Sequence, residues 1–205
     1  MKIKVCGMKY PGNIKAVLSL GIDFMGFIFY PKSARYFEGD LSAIDFKQTK
    51  KIGVFVDEEI KKLLQIARKY GLDYLQLHGK ESPEYVRKLK KEGYEVIKVF
   101  SVGKDFDFGV CRSYMADADM FLFDTKGKLP GGNGEQFDWR ILEKYDLNKP
   151  FLLSGGIGLE HAFQVKNFKH PQCVGVDVNS GFEIEPGLKN VVKLTGFIRQ
   201  LSATR

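Results

Sequence analysis

Eight short runs rich in Val, Ile and Phe recur along the chain, at 2–6, 23–29, 51–56, 74–78, 96–100, 120–124, 150–154 and 173–178. Their near-continuous apolar character predicts strands buried on both faces. The starts lie roughly 20 to 30 residues apart, the room that a strand, a turn and a crossover helix require. Between them run amphipathic helix patterns. At 58–70, Ile60, Leu63, Leu64, Ala67 and Tyr70 share one stripe behind a capping Asp57. Ser82 caps a helix with Pro83 at its first position, and Asp138 precedes Trp139, Ile141, Leu142 and Tyr145 in the same manner. The last helix carries Leu188, Val191, Val192, Thr195, Ile198 and Leu201 on one face. Around 103–116 the stripe of Phe106, Val110, Cys111, Tyr114 and Met115 is ragged and Gly109 interrupts it, so helix five is the least defined.

Eight βα units with no linker or composition shift predict an α/β fold, a single-domain (β/α)8 TIM barrel over 1–205, rather than an open sheet. Right-handed crossovers close it. All eight strands then end on one face, where barrel enzymes place their chemistry, and function is read from those ends.

Composition narrows the partners. A hydrophobic fraction of 44% excludes a disordered chain. No apolar run approaches the roughly 20 residues of a membrane helix, so no membrane partner is expected. The N-terminus shows no signal-peptide pattern, and three cysteines without C-x-x-C spacing suit a reducing compartment, so a cytoplasmic location is expected. The net charge of +7 is spread as pairs such as Lys50-Lys51, Lys61-Lys62 and Lys90-Lys91, which reads as solvated helix faces and not a nucleic-acid surface. A positive field also favours capture of a small anionic substrate.

At the strand ends, Cys6 closes the first run and Asp124 the sixth, which puts a thiol and a carboxylate on one rim. Each has a plain structural alternative: free cysteine is often a small buried hydrophobe, the reading adopted for Cys111 and Cys173, and an aspartate can cap a turn. Gly155-Gly156 follows strand seven and Asn179-Ser180-Gly181 follows strand eight. These are tight turns or, jointly, the phosphate site that barrels often build there from backbone amides. The glycine-rich loop at 125–134 lacks nucleotide-binding spacing and reads as a lid. His78 ends strand four and reads as a hydrogen-bonded structural residue; His161 and His170 fall on or after helix seven, so no metal cluster is expected. Arg35 is a surface charge or a bidentate clamp for a substrate carboxylate.

Ordered motifs span almost the whole chain: Lys4-Val5-Cys6-Gly7, the Gly26 to Arg35 stretch with Tyr30-Pro31-Lys32-Ser33-Ala34, Gly53-Val54-Phe55-Val56, Leu75-Gln76-Leu77-His78-Gly79, Gly131-Gly132-Asn133-Gly134 with Phe137-Asp138-Trp139, and Gly175-Val176-Asp177-Val178-Asn179-Ser180-Gly181. In this order they resemble the phosphoribosylanthranilate isomerase family of tryptophan biosynthesis. The resemblance implies a cofactor-independent Amadori rearrangement of a phosphosugar substrate, with Cys6 as general base and Asp124 as general acid. It also implies Arg35 at the substrate carboxylate, Asp177 in the substrate site, and phosphate-binding backbone at Gly155, Gly156, Ser180 and Gly181. No oligomer contact is readable, which leaves a monomer or a homodimer.

Both catalytic groups carry a protonation problem: a free thiol of pKa about 8.5 is mostly neutral at pH 7, and a free aspartic acid of pKa about 3.9 is mostly ionised. Burial raises a carboxyl and cationic neighbours favour a thiolate; Lys4 shares a face with Cys6 if the strand is regular. Ser154, Asn133, Asn179 and Asn190 depart from the family pattern, without removing a proposed catalytic group. The competing readings are a histidine-pathway type of isomerase, disfavoured by Cys6, a metal-dependent epimerase, disfavoured by the scarcity of histidine at strand ends, and a non-catalytic phosphate-binding barrel.

Overall fold

The computed structural model describes residues 1–125 and 138–203. Eight parallel strands close into a barrel in chain order. They are β1 (Lys2–Val5), β2 (Phe24–Ile28), β3 (Lys50–Phe55), β4 (Tyr74–Leu77), β5 (Glu95–Val102), β6 (Met120–Thr125), β7 (Phe151–Leu153) and β8 (Cys173–Val178). Each apolar run became a strand. Closure sets β1 against β8, with Lys2 opposite Gly175 and Lys4 opposite Asp177.

Alternation along each strand separates two cores. Phe24, Ile52, Ile97, Val99, Met120, Leu122 and Leu152 fill the barrel, while their neighbours in sequence pack outward under the helices. The same parity runs from Tyr74 through Gln76 to His78 on β4, and from Met120 through Leu122 to Asp124 on β6. The apolar floor therefore gives way, toward the strand ends, to the buried polar residues Lys4, Gln76, Asp124, Ser154 and Asp177.

The outer elements follow the helix patterns less evenly. Among the described residues the five α-helices are α1 (Pro11–Leu18), α2 (Ile60–Tyr70), α3 (Pro83–Lys91), α4 (Ala162–Asn167) and α5 (Val191–Ser202). The α2 stripe buries Leu63, Leu64, Ala67 and Tyr70 as expected. Asp57 does not cap it: its carboxylate accepts from the Lys80 amide at 2.6 Å and Glu59 holds the cap position. Ser82 does cap α3, accepting from the Tyr85 amide at 3.3 Å. The segments Phe108–Tyr114 and Trp139–Lys144 wind as 3-10 turns instead of α-helix. In the first, Asp107 takes the Gly109 amide at 2.8 Å, a local bond that competes with helix continuation.

Among the described residues no helix follows β2, so eight full βα units are not formed. Phe37 fills that gap, its ring 4.8 Å from Phe27 and 5.6 Å from Tyr70. Leu188 belongs not to α5 but to β10 (Leu188–Lys189), which pairs antiparallel with β9 (Glu183–Glu185). No helix among the described residues is long and apolar enough to cross a membrane.

Candidate active site

Cys6 stands one residue past β1, its amide still donating to the Val178 carbonyl at 2.9 Å. Its side chain is 4% exposed. Gly7 follows with φ +72°, and a Cβ there would lie 2.8 Å from both the Arg35 Cδ and the Asn179 Oδ1, so only glycine lets Arg35 cross the end of β1. The Arg35 guanidinium is gripped by Glu183, with Nε at 2.9 and 3.0 Å and Nη2 at 2.6 Å from its carboxylate oxygens. Glu183 also accepts from the buried Lys189 at 2.6 Å, and Lys189 donates to Asn179 Oδ1 at 2.6 Å. Burial pushes the Glu183 carboxyl up, and Arg35 with Lys189 more than reverses it, leaving it below the usual carboxylate range.

Beneath the thiol, the fully buried Lys4 donates to Asp177 Oδ1 at 2.8 Å, and the Ser154 hydroxyl donates to Asp177 Oδ2 at 3.3 Å. Burial raises the Cys6 thiol above its ordinary value; Lys4 and Lys189 oppose this and Asp177 adds to it. Burial depresses the Lys4 ammonium, but Asp177 and Cys6 more than compensate and it ends raised. Burial likewise raises Asp177, against the pull of Lys4. Cys111 and Cys173 are pushed by burial to about 12 and about 11, which leaves them as inert thiols.

Across the mouth, Asp124 Oδ1 accepts from the Thr125 amide at 2.9 Å, and Oδ2 lies 3.4 Å from the His78 Nε2. His78 Nδ1 is 3.5 Å from the Gln76 Nε2. Among the described residues neither His78 Nε2 nor Gln76 Oε1 has a hydrogen-bond partner, although both are buried. The loop carrying His78 is braced from outside the barrel: Glu81 accepts from the Asp57 amide at 2.9 Å and from Gly79, and pairs with Lys98 at 2.9 Å. His78 thus faces Asp124 from the end of β4. Its signal was the inward parity of β4.

Gly155 (φ +93°) and Gly156 (φ +64°) make the turn after β7, and a Cβ on Gly155 would lie 2.7 Å from the Thr125 amide nitrogen. The turn after β8 is a short 3-10 segment, Ser180–Phe182, in which Gly181 packs against the Ile157 carbonyl. The two turns therefore touch. Among the described residues, no hydrogen-bond acceptor meets the amides of Gly155, Gly156, Ser180 or Gly181. That leaves a concave set of donors suited to an anion. The loop read as a lid lies, after Thr125, outside the described residues. Among the described residues, no three His, Cys, Asp or Glu side chains converge as a metal site would require.

An eight-stranded parallel barrel with acid–base side chains gathered at the C-terminal ends of its strands has the architecture of a (β/α)8-barrel enzyme. Residues 3–200 match the family model described as N-(5'phosphoribosyl)anthranilate (PRA) isomerase. The chain is 50% identical to N-(5'-phosphoribosyl)anthranilate isomerase of Parabacteroides distasonis, over 98% of this chain and 93% of that relative. It superposes on the crystal structure of phosphoribosyl anthranilate isomerase from Thermotoga maritima with a TM-score of 0.87 and 33% identity, covering 98% of each chain. A phosphoribosyl anthranilate isomerase solved in complex with reduced 1-(o-carboxyphenylamino)-1-deoxyribulose 5-phosphate matches with a TM-score of 0.84 and 32% identity, again over 98% of each chain. The chain belongs to the PRA isomerase family.

Proposed function

We propose that the barrel, using residues 1–205 as one catalytic unit, converts N-(5-phospho-β-D-ribosyl)anthranilate to 1-(2-carboxyphenylamino)-1-deoxy-D-ribulose 5-phosphate in tryptophan biosynthesis. Asp124 in its acid form gives its proton to the furanose ring oxygen. The C1–O bond breaks as the anthranilate nitrogen's lone pair forms a C1=N iminium. The Cys6 thiolate then takes the proton from C2, and the electrons of that C–H bond form C1=C2 and return the iminium pair to nitrogen. The resulting enolamine tautomerises to the ketone, with no net oxidation.

Arg35 meets the anthranilate carboxylate through the guanidinium edge that Glu183 leaves open, and the amides of Gly155, Gly156, Ser180 and Gly181 hold the phosphate. Asp177 serves the substrate site from beneath, through Lys4. The reduced product analogue bound by the related isomerase carries the same carboxylate, sugar chain and phosphate, which supports this assignment. A monomer or a homodimer serves equally well, since every proposed group comes from one chain, and a cytoplasmic location fits its free thiols.

The observation that supports this reading most is the placement of Cys6 and Asp124 at the ends of β1 and β6, with Asp177 between them sensing both the Lys4 and the Asp124 charge. A steady-state assay with freshly prepared phosphoribosylanthranilate, followed by loss of anthranilate-type fluorescence, tests it. Turnover is the expected result, and binding of the substrate without turnover would overturn it.

A further inference from the structure

The thiol's protonation is the unsolved part of this chemistry, because burial pushes Cys6 above its ordinary value, away from the thiolate a base needs. We infer that Lys4 is the positioning residue that makes the Cys6 sulfur available as a thiolate, and that Asp177 fixes the Lys4 ammonium beside it. This rests on Cys6 being the base of the proposed reaction.

Lys4 and Cys6 are two residues apart on one strand, so both side chains face into the barrel. Lys4 is 0% exposed, a rare state for a lysine, and water cannot satisfy its ammonium there. The ammonium donates to Asp177 at 2.8 Å, and its strand position puts Lys4 on the same inward face as Cys6. On the neighbouring strand the sulfur uses the space a side chain would take: a Cβ on Gly26 of β2 would lie 2.8 Å from Sγ. The thiol thus lies over bare backbone, on the same face as a cation.

The other charges around it are already committed. Lys189, from the segment before α5, bonds Glu183 and Asn179, and Arg35 is held by Glu183. Asp177, from β8, is a carboxylate beneath the sulfur, and it senses Asp124 from β6 and His78 from β4. A carboxylate beside the base opposes the thiolate, so its value must lie in its hold on Lys4.

Opposite roles for the two partners make the inference testable, because a merely structural ion pair would respond alike to loss of either. The readout is thiolate absorbance near 240 nm titrated against pH on the full chain, with the Cys6→Ser variant as the baseline. Cys111 and Cys173, at about 12 and about 11, stay silent over most of the range. Lys4→Met is expected to move the Cys6 midpoint to a pH higher by about 1–3. Asp177→Asn is expected to move it downward. Turnover of Lys4→Met at neutral pH should fall about tenfold for each pH unit by which the midpoint rises and recover as pH rises, and Lys4→Arg should restore part of it.

Midpoints that move in the same direction in Lys4→Met and Asp177→Asn, or an unmoved midpoint in Lys4→Met, would overturn the inference. Should Lys4→Met fail to fold around its stranded carboxylate, the Lys4→Met/Asp177→Leu double variant removes that charge, and the same upward movement is required of it. The titration needs no substrate. Its failure is therefore separate from failure of the catalytic reading, which full turnover by Cys6→Ser would reveal.

Discussion

The two sides of the barrel mouth are built differently. On the β1–β8 side, Cys6 sits in a web of buried charges in which Lys4, Asp177, Arg35, Glu183 and Lys189 all have ionic partners. On the β4–β6 side, Asp124 faces His78 at 3.4 Å, and His78 Nε2 and Gln76 Oε1 are buried without hydrogen-bond partners among the described residues. A thiol must be persuaded to ionise before substrate arrives, and the fixed charges of Lys4 and Lys189 offset part of the burial that opposes it. A general acid must release its proton during the reaction, and polar groups left open beside it are free to follow the charge. On the proposed reading, charges are fixed around the base, and polar groups are left open beside the acid for the substrate to complete.

Several substitutions break or sharpen this contrast. The largest effect is expected from removing the two proposed reacting groups: Cys6→Ser and Asp124→Asn should each lower turnover by about 10²–10⁴-fold, measured by the fluorescence assay. Near-normal turnover in either would remove that residue from the chemistry. Arg35→Ala comes next, with kcat/KM falling about 10- to 100-fold, chiefly through KM, because a charge-assisted bond to the substrate carboxylate is lost. An unchanged KM would place Arg35 outside the substrate site.

Glu183→Gln tests whether the base side is held by its charges. Losing the partner of Arg35 and Lys189 should destabilise the fold by about 3 kcal/mol in urea melts at neutral pH. The sign with pH follows from the depressed Glu183 carboxyl. Its stabilisation is full above the unfolded carboxyl value of about 4.3 and is lost as pH falls through the lower folded value. The gap between wild type and Glu183→Gln should therefore close in acid, and a gap that widened there would contradict the charge web. The smallest effect is expected on the open side: His78→Gln, whose Nε2 makes no hydrogen bond among the described residues, should change stability by about 1 kcal/mol or less. A loss as large as that of Glu183→Gln would erase the contrast between the two sides.

Strands were legible in the sequence because burial on both faces demands unbroken apolar runs, and β8 was bounded to the residue. The clean stripe of α2 was legible for the same reason, and the start of α3 from its Ser82 cap and Pro83. Where the local pattern was weak, tertiary contacts decided. Phe37 packs on Phe27 where a helix was expected after β2, and Asp57 turns to Lys80 instead of capping α2 because Glu81 takes the Asp57 amide at 2.9 Å.

The site divides along similar lines. Cys6, Asp124 and the glycine turns could be read because strand ends in a closed barrel share one face. The pairings that tune them could not, since Lys4 meets Asp177 across 173 residues and Arg35 meets Glu183 across 148. A charged residue inside an apolar strand, in step with Cys6, was the available signal for Lys4. The Tyr74, Gln76, His78 alternation was the corresponding one for His78.

The central claim is that the thiol and the carboxylate reach one small molecule whose phosphate lies on the glycine turns. A crystal structure of the wild-type protein with the reduced product analogue tests it most directly. The expected result is Cys6 Sγ and the Asp124 carboxylate each within about 3–3.5 Å of the ligand's sugar chain, near C2 and the former ring oxygen, with the phosphate on the Gly155-Gly156 and Ser180-Gly181 amides. A ligand bound with its phosphate elsewhere, or with either side chain out of reach, would contradict it.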